Sequence, residues 1–200
     1  MYPIITISRE FGSGGHVIGE KVAQKLGIPF YDSEIVDQVA KRSGYNKAVI
    51  TEQGEYTDKV SKWFSVSVAS AMYFESPQDE IFKAQRRVIL DCAKEGPCVI
   101  VGRCADYILA PTEFKALNVF IHAEMKYRIE RLKAKYGTVE ADIEKQLVKR
   151  DRNRRTYYKY YTDREWGKYT NYDLNLDSGR LGEELCVDLI VETAQKLNKE

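Results

Sequence analysis

The chain is short of the residues that metal and hydrolytic sites are built from. It has two histidines and four cysteines in 200 residues. Cys92, Cys98, Cys104 and Cys186 include no CxxC spacing, and two of them lie in apolar runs, so they read as buried thiols and not as a disulfide frame or zinc site. There is no HExxH motif and no compact Ser-His-Asp or Cys-His arrangement, which removes zinc chemistry and hydrolytic triads from consideration. No apolar run approaches the roughly 18 residues of a membrane span, and the N-terminus lacks a basic segment followed by an apolar core. The expectation is a cytoplasmic protein that does not meet a membrane. A net charge of +1 gives no global attraction to nucleic acid, so such binding would have to come from a local patch. Repeats, low-complexity stretches and linkers are absent too, which leaves residues 1–200 as a single domain with a substantial core.

What is present is an alternation of strand-like and helix-like segments. Apolar runs at Ile4–Ser8, Cys98–Val101 and Leu117–Ile121 predict buried parallel strands, with "IPFYD" at 28–32 and a weaker run at Tyr172–Leu176. Helical patterns fill Val17–Leu26, Glu124–Tyr136 and Gly182–Leu197. That order predicts an α/β sheet with helices on both faces. The alternation breaks over 33–95, where only helical patterns occur. Val60, Trp63, Phe64, Val68 and Ala71 form one stripe; Ile81, Phe82, Gln85, Val88, Ile89 and Cys92 mark another. This reads as a helical insert. Gln85 lies within its apolar stripe, either as the edge of a packed face or as a ligand contact. The aromatics Trp63, Phe64, Tyr73 and Phe74 could pack between subunits of a homo-oligomer.

A second helical block covers Val139–Tyr161, inside a segment 139–170. Ile143 and Leu147 form an apolar stripe that Arg150 and Arg154 continue at helical spacing. Seven Lys or Arg lie between Lys145 and Lys159, with Asp151 among them. A basic run is usually a solvated face. Here the arginines extend the inward stripe, which argues against that reading.

Three constellations suit phosphate chemistry. The first is "GSGGH", residues 12–16, between the first strand and the first helix. Strand, glycine loop and helix aim backbone N–H groups and a helix N-terminus at an anion. A Walker loop carries Gly-Lys-Ser or Gly-Lys-Thr at this point, whereas here Gly14 is followed by Gly15 and His16. A dinucleotide fingerprint fails, because its third glycine would fall on Val17. The second is "VIVGRCAD", 99–106, which puts Arg103 at the C-terminal edge of a strand with Asp106 a turn later. Arg103 suits bidentate contact with a phosphate, or an ion pair with Asp32 or Asp106. The third is the arginine set Arg150, Arg154 and Arg155, with Arg128 and Arg131 on the preceding helix. Phosphoryl transfer needs positioning and charge neutralisation, which such a set supplies.

"ITISREFGSGGHVIGEKVAQKLGIPFYDSEIV", "CVIVGRCADYIL" and "YYKYYTDREWGKYTNYDLNLDSGRLG" together resemble the cytidylate kinase-like family of P-loop proteins, over nearly the whole chain. The resemblance implies a three-layer P-loop NTPase fold: a five-stranded parallel sheet with helices on both faces, a monophosphate-binding helical insert (33–95) and an arginine-bearing lid (139–170). It implies ATP and Mg²⁺ as ligands, with CMP or dCMP as the acceptor. Gly12, Ser13, Gly14, Gly15 and His16 match the phosphate-binding loop, and Arg128 and Arg131, also assigned to nucleotide binding, match helix arginines facing the lid. Asp32, Arg103, Asp106 and Gln85 fall to the acceptor site, and Arg103, Arg150 and Arg154 to transfer itself. No residue is assigned as a metal ligand. In cytidylate kinases an aspartate follows the arginine directly, whereas here Cys104 does. Gly15 stands at the lysine position, so His16, Lys21 or Arg103 must replace the lysine charge, or the site binds nucleotide without fast transfer. A catalytically weak nucleotide sensor is the alternative function. Single-stranded nucleic-acid binding through "KRDRNRRTYYKYY" is a third reading, disfavoured by the neutral net charge.

Overall fold

The computed structural model describes residues 3–32, 77–136 and 143–198. Val60, Trp63, Phe64, Val68, Ala71, Tyr73 and Phe74 lie outside the described residues, as does most of the expected insert. The described chain forms a five-stranded parallel sheet in the order β2-β3-β1-β4-β5. The strands are β1 (Ile4–Arg9), β2 (Phe30–Tyr31), β3 (Val99–Val101), β4 (Ala116–His122) and β5 (Leu174–Asp177). Its helices are α1 (Gly15–Leu26), α2 (Pro77–Glu95), α3 (Ala105–Leu109), α4 (Met125–Tyr136), α5 (Ile143–Thr162) and α6 (Ser178–Leu197). No helix among the described residues is long and apolar enough to cross a membrane.

The two-residue period of the strands assigns each side chain to a layer. Ile5, Ile7, Val99, Val101, Leu117, Val119 and Ile121 pack with Ile18 and Val22 of α1 and Val187 and Ile190 of α6. Ile4 and Ile100 point the other way, onto Ile81, Val88 and Ile89 of α2 and Ile108 of α3. Central β1 is paired on both sides, Ile5 with Val99 and with Leu117. A strand buried on both faces has no polar side to show, which is why its sequence is a nearly unbroken apolar run.

The helix ends have local causes. Gly27 (φ 65°) terminates α1 in the left-handed region, its N–H donating to Ala23 and Gln24 carbonyls. Asp177 caps α6, accepting from the N–H groups of Gly179 (3.0 Å) and Arg180 (3.2 Å). That cap starts the helix ahead of the expected Gly182, where the backbone breaks (φ 77°, ψ 162°). Tyr172, expected in the last strand, instead packs its ring on Phe120, beside Trp166. After β3 the chain turns through Gly102 (φ 79°), Arg103 (φ 59°) and Cys104 (φ 56°), two of them non-glycine residues in the left-handed region. This turn, and the short α3 behind it, carry no periodic signal in the sequence.

Ile5 is fully buried in the central strand. Ile5→Ala is expected to cost about 2–5 kcal/mol, read as a lower urea midpoint at unchanged denaturant slope.

Candidate functional site

Residues 10–16 leave β1 and turn into α1 along the C-terminal edge of the sheet. Gly12 (φ 84°) and Gly14 (φ 87°) hold the left-handed conformation that glycine takes without strain. A β-carbon on Gly12 would stand 3.2 Å from Arg128 Cβ and 3.2 Å from Leu147 Cδ2, so the loop lies close under α4 and α5. No side chain caps the N-terminus of α1 at Gly14. The first-turn amides and the positive end of the helix dipole therefore have no side-chain cap, an arrangement suited to an anion.

Buried serines hold the loop from behind. Ser13 Oγ donates to the carbonyls of Glu10 (2.9 Å) and Ile121 (3.2 Å), and Ser178 Oγ donates to the carbonyl of Ser13 (2.6 Å). Ser13 is fully buried, so its part in the loop is to fix the backbone.

Helix α5 is anchored by an acid to which the sequence pattern gives no role. Asp151 Oδ1 accepts from the N–H of Phe11 (2.7 Å), and Asp151 Oδ2 accepts from Arg128 Nη1 (2.5 Å). Arg128 also donates to the Phe11 carbonyl (3.3 Å) and lies 3.6 Å from Glu10. Arg128 and Asp151 are 6% and 6% exposed, so this is a buried pair. Arg128 is thus bound into the seam between loop, α4 and α5. Arg131, one turn on, donates through Nε (2.8 Å) and Nη2 (2.6 Å) to Glu183 beside Gly14. A lone acid within a run of cations, on the inward face of the helix, was the available signal for Asp151.

Arg103 and Arg154 meet in one open cleft beside the loop, lined also by Ser8, Arg9, Tyr157 and Trp166. Arg154 Nη1 donates to the Arg9 carbonyl (3.1 Å). Arg150 does not line that cleft; its guanidinium sits 4.3 Å from the Phe11 ring centre, over the start of the loop. Gln85 and Asp106 stand one hydrogen bond behind the wall. Tyr157 donates to Gln85 Oε1 (2.7 Å), and Tyr158 donates to Asp106 Oδ2 (2.5 Å). Burial holds the Asp106 carboxyl above its ordinary range. With Tyr157 and Tyr158 buried, those two rings of the basic segment do not offer stacking platforms for bases.

Asp32 and His16 close the other side. His16 Nδ1 donates to Asp32 Oδ2 at 2.6 Å, and Arg9 Nη2 lies 3.9 Å from Asp32 Oδ1. Burial alone would raise the Asp32 pKa, yet the His16 bond and the nearby charges of Arg9 and Arg103 bring it below the ordinary carboxylate range. The His16 imidazole is raised above 6.5, chiefly by its hydrogen bond to Asp32. Arg9, which the sequence reading also passed over, is the residue common to both sides. It ends β1, as Arg103 follows the end of β3, and that shared sheet-edge position is the signal it carried.

Asp151→Ala leaves the buried Arg128 charge without its partner, and a loss of about 3–5 kcal/mol is expected in urea denaturation. Arg128→Met with Asp151→Leu should lose less than Asp151→Leu alone. The His16–Asp32 pair stabilises the fold while the imidazole is protonated and the carboxylate ionised, so its contribution fades as the pH rises through the elevated His16 value and again as it falls through the lowered Asp32 value. An NMR titration should place His16 above 6.5, and Asp32→Ala should bring it to 6.5 or below.

The model of the cytidylate kinase-like family matches residues 4–180. A cytidylate kinase from Archaeoglobus fulgidus is 22% identical over 193 residues, spanning 96% of this chain and 94% of that protein. Uronate isomerase from Corynebacterium glutamicum is 28% identical over 160 residues, 74% of this chain, but the match spans 30% of that protein's length. Among solved structures, an uncharacterized protein from Eubacterium ventriosum has a TM-score of 0.72 at 26% identity, covering 96% of this chain and 98% of that one. Shikimate kinase from Bacteroides thetaiotaomicron has a TM-score of 0.55 at 14% identity over the full length of both, a likeness of fold. With a P-loop kinase fold, and a family match over all but its first few and last twenty residues, the chain belongs to the cytidylate kinase-like family.

Proposed function

We propose that the protein transfers the γ-phosphoryl group of ATP to a nucleoside monophosphate, with CMP or dCMP as the first-choice acceptor. The observation that carries this reading is the meeting of Arg103 and Arg154 in one cleft beside the uncapped N-terminus of α1. Family membership and the cytidylate kinases among the relatives support the same direction.

The amides of Gly14, Gly15 and His16 cradle the donor phosphates, with Arg131 next to Gly14. Arg103 holds the acceptor phosphate and Arg154 meets the transferring group, while Arg150, over Phe11, would have to swing from the start of the loop to join them. An oxygen of the acceptor phosphate forms a bond to the γ-phosphorus. The bond from that phosphorus to its bridging oxygen breaks, and ADP leaves. The loop suits a triphosphate because Gly12, Gly14 and Gly15 leave its backbone free to approach a ligand and no side chain caps the N-terminus of α1. Mg²⁺ would neutralise charge on the phosphates, and the ionised Asp32, beside Arg9 and His16, is a carboxylate that could help hold it. The second reading, a nucleotide sensor, is favoured by one feature: position 15 is glycine and not lysine.

An ADP-release assay with ATP, Mg²⁺ and a panel of monophosphates separates these readings. The expected result is turnover highest with CMP or dCMP, falling on the order of 10²–10³-fold in Arg103→Ala and in Arg154→Ala. Tight ATP binding by calorimetry, with no product from any acceptor, would establish the sensor.

A further inference from the structure

We propose that Arg9 supplies the phosphate-facing cation that a lysine supplies in Walker loops, and that position 15 is glycine because the Arg9 stem fills the space of its side chain. The inference rests on the phosphoryl-transfer reading of this cleft.

The steric observation comes first. A β-carbon built on Gly15 would stand 2.5 Å from Arg9 Cβ and 2.9 Å from Arg9 Cγ. Contacts that close are not seen between real side chains, and here they involve the atoms least able to yield. Arg9 Cβ is set by the backbone of β1, and that backbone is held in the sheet with Arg9 in register with Ile121 of β4. A rotamer change moves the guanidinium but leaves Cβ where it is. Any two residues that carry β-carbons at positions 9 and 15, arginine with lysine among them, are therefore mutually exclusive on this backbone.

The second observation is where the arginine leads. Its Nη1 lies against Gly102, whose own missing β-carbon leaves the passage. Its Nη2 lies 3.9 Å from Asp32, at the outer limit of an ion pair, while His16 holds that carboxylate at 2.6 Å. Arg9 thus runs across the C-terminal edge of β1 and β3 and lines the same cleft as Arg103 and Arg154. Its carbonyl accepts from Arg154, so the cation from the strand and the cation from the lid helix are joined. Two glycines, one on each side of the sheet edge, make room for one arginine. Besides its contact with Asp32, Arg9 shares the cleft lining with Arg103 and Arg154. A planar, permanently charged fork also suits the oxygens of the β- and γ-phosphates of a nucleoside triphosphate.

The test is a swap, read by turnover, by calorimetric Mg·ATP binding and by melting temperature. Gly15→Lys alone is expected to lose on the order of 10²–10³-fold in kcat, although it installs the usual Walker lysine. Arg9→Met keeps the stem and removes the charge, and should lose a similar factor with little change in melting temperature. The double variant Arg9→Gly with Gly15→Lys should regain roughly tenfold or more over either single change, since the lysine now has room and replaces the charge. Free guanidinium ion should partly restore Arg9→Gly, a response that a structural role would not give. Full activity in Gly15→Lys or in Arg9→Met overturns the proposal, as does a swap no better than its worse single variant. A wild-type protein that turns over no acceptor overturns the kinase reading instead. The Arg9 assignment is then decided by Mg·ATP affinity: a tenfold or greater loss in Arg9→Met supports it, and unchanged affinity overturns it.

Discussion

The site depends on one carboxylate. Asp151 joins the start of the glycine loop, through the Phe11 N–H, to Arg128 on α4, and so fixes α5 over the loop. The pair is nearly dry, and the desolvation it suffers roughly offsets its attraction, so it adds little net stability over an apolar substitute. What it adds is position. Leu147 packs one turn before Asp151, against the loop at Gly12, and Arg154 follows nearly one turn later with its guanidinium in the cleft. Without that fixed register, the arginines of α5 would be a set of long side chains with no common target.

The charge pattern of the cleft follows from the same economy. A chain with a net charge of +1 has no field to spare, so cations must be collected locally. Arg9 arrives from β1, Arg103 from the turn after β3 and Arg154 from α5. Asp32 offsets part of this charge from the rim and orients His16. The acids that would neutralise more of it are kept aside. Asp106 faces Tyr158 behind the wall, and Asp151 is committed to Arg128. Three guanidinium-bearing side chains lining one cleft are the chemistry that the proposed polyanionic ligand requires.

Much of this was legible from local patterns. Unbroken apolar runs named the strands of the sheet, since a strand covered on both faces shows no alternation. Gly12 to Gly15 marked the loop because few residues other than glycine take positive φ without strain. The Ile143, Leu147 and Arg154 spacing showed that arginines continued an inward face. Arg128, in contrast, was visible as a cation near the lid but not as the buried partner of Asp151. Their pairing bridges 23 positions, and no local rule selects that acid over its neighbours. Arg9 was hidden for a related reason. Its meaning lies in what it excludes at Gly15 and Gly102, across strand pairings that only the folded sheet creates.

The sequence by itself determined the layer architecture, the position of the glycine loop and the presence of arginines on an inward helical face. Each of these follows from periodicity or backbone conformation, which act over a few residues. Tertiary structure decided which cation faces which group: Arg128 into the seam, Arg131 onto Glu183, and Arg9 into the cleft. It also turned the missing lysine from an absence into a steric consequence. Contacts between residues distant in the chain depend on how strands register and helices pack, and charge pairing is settled by that geometry because every arginine carries the same charge and the same reach.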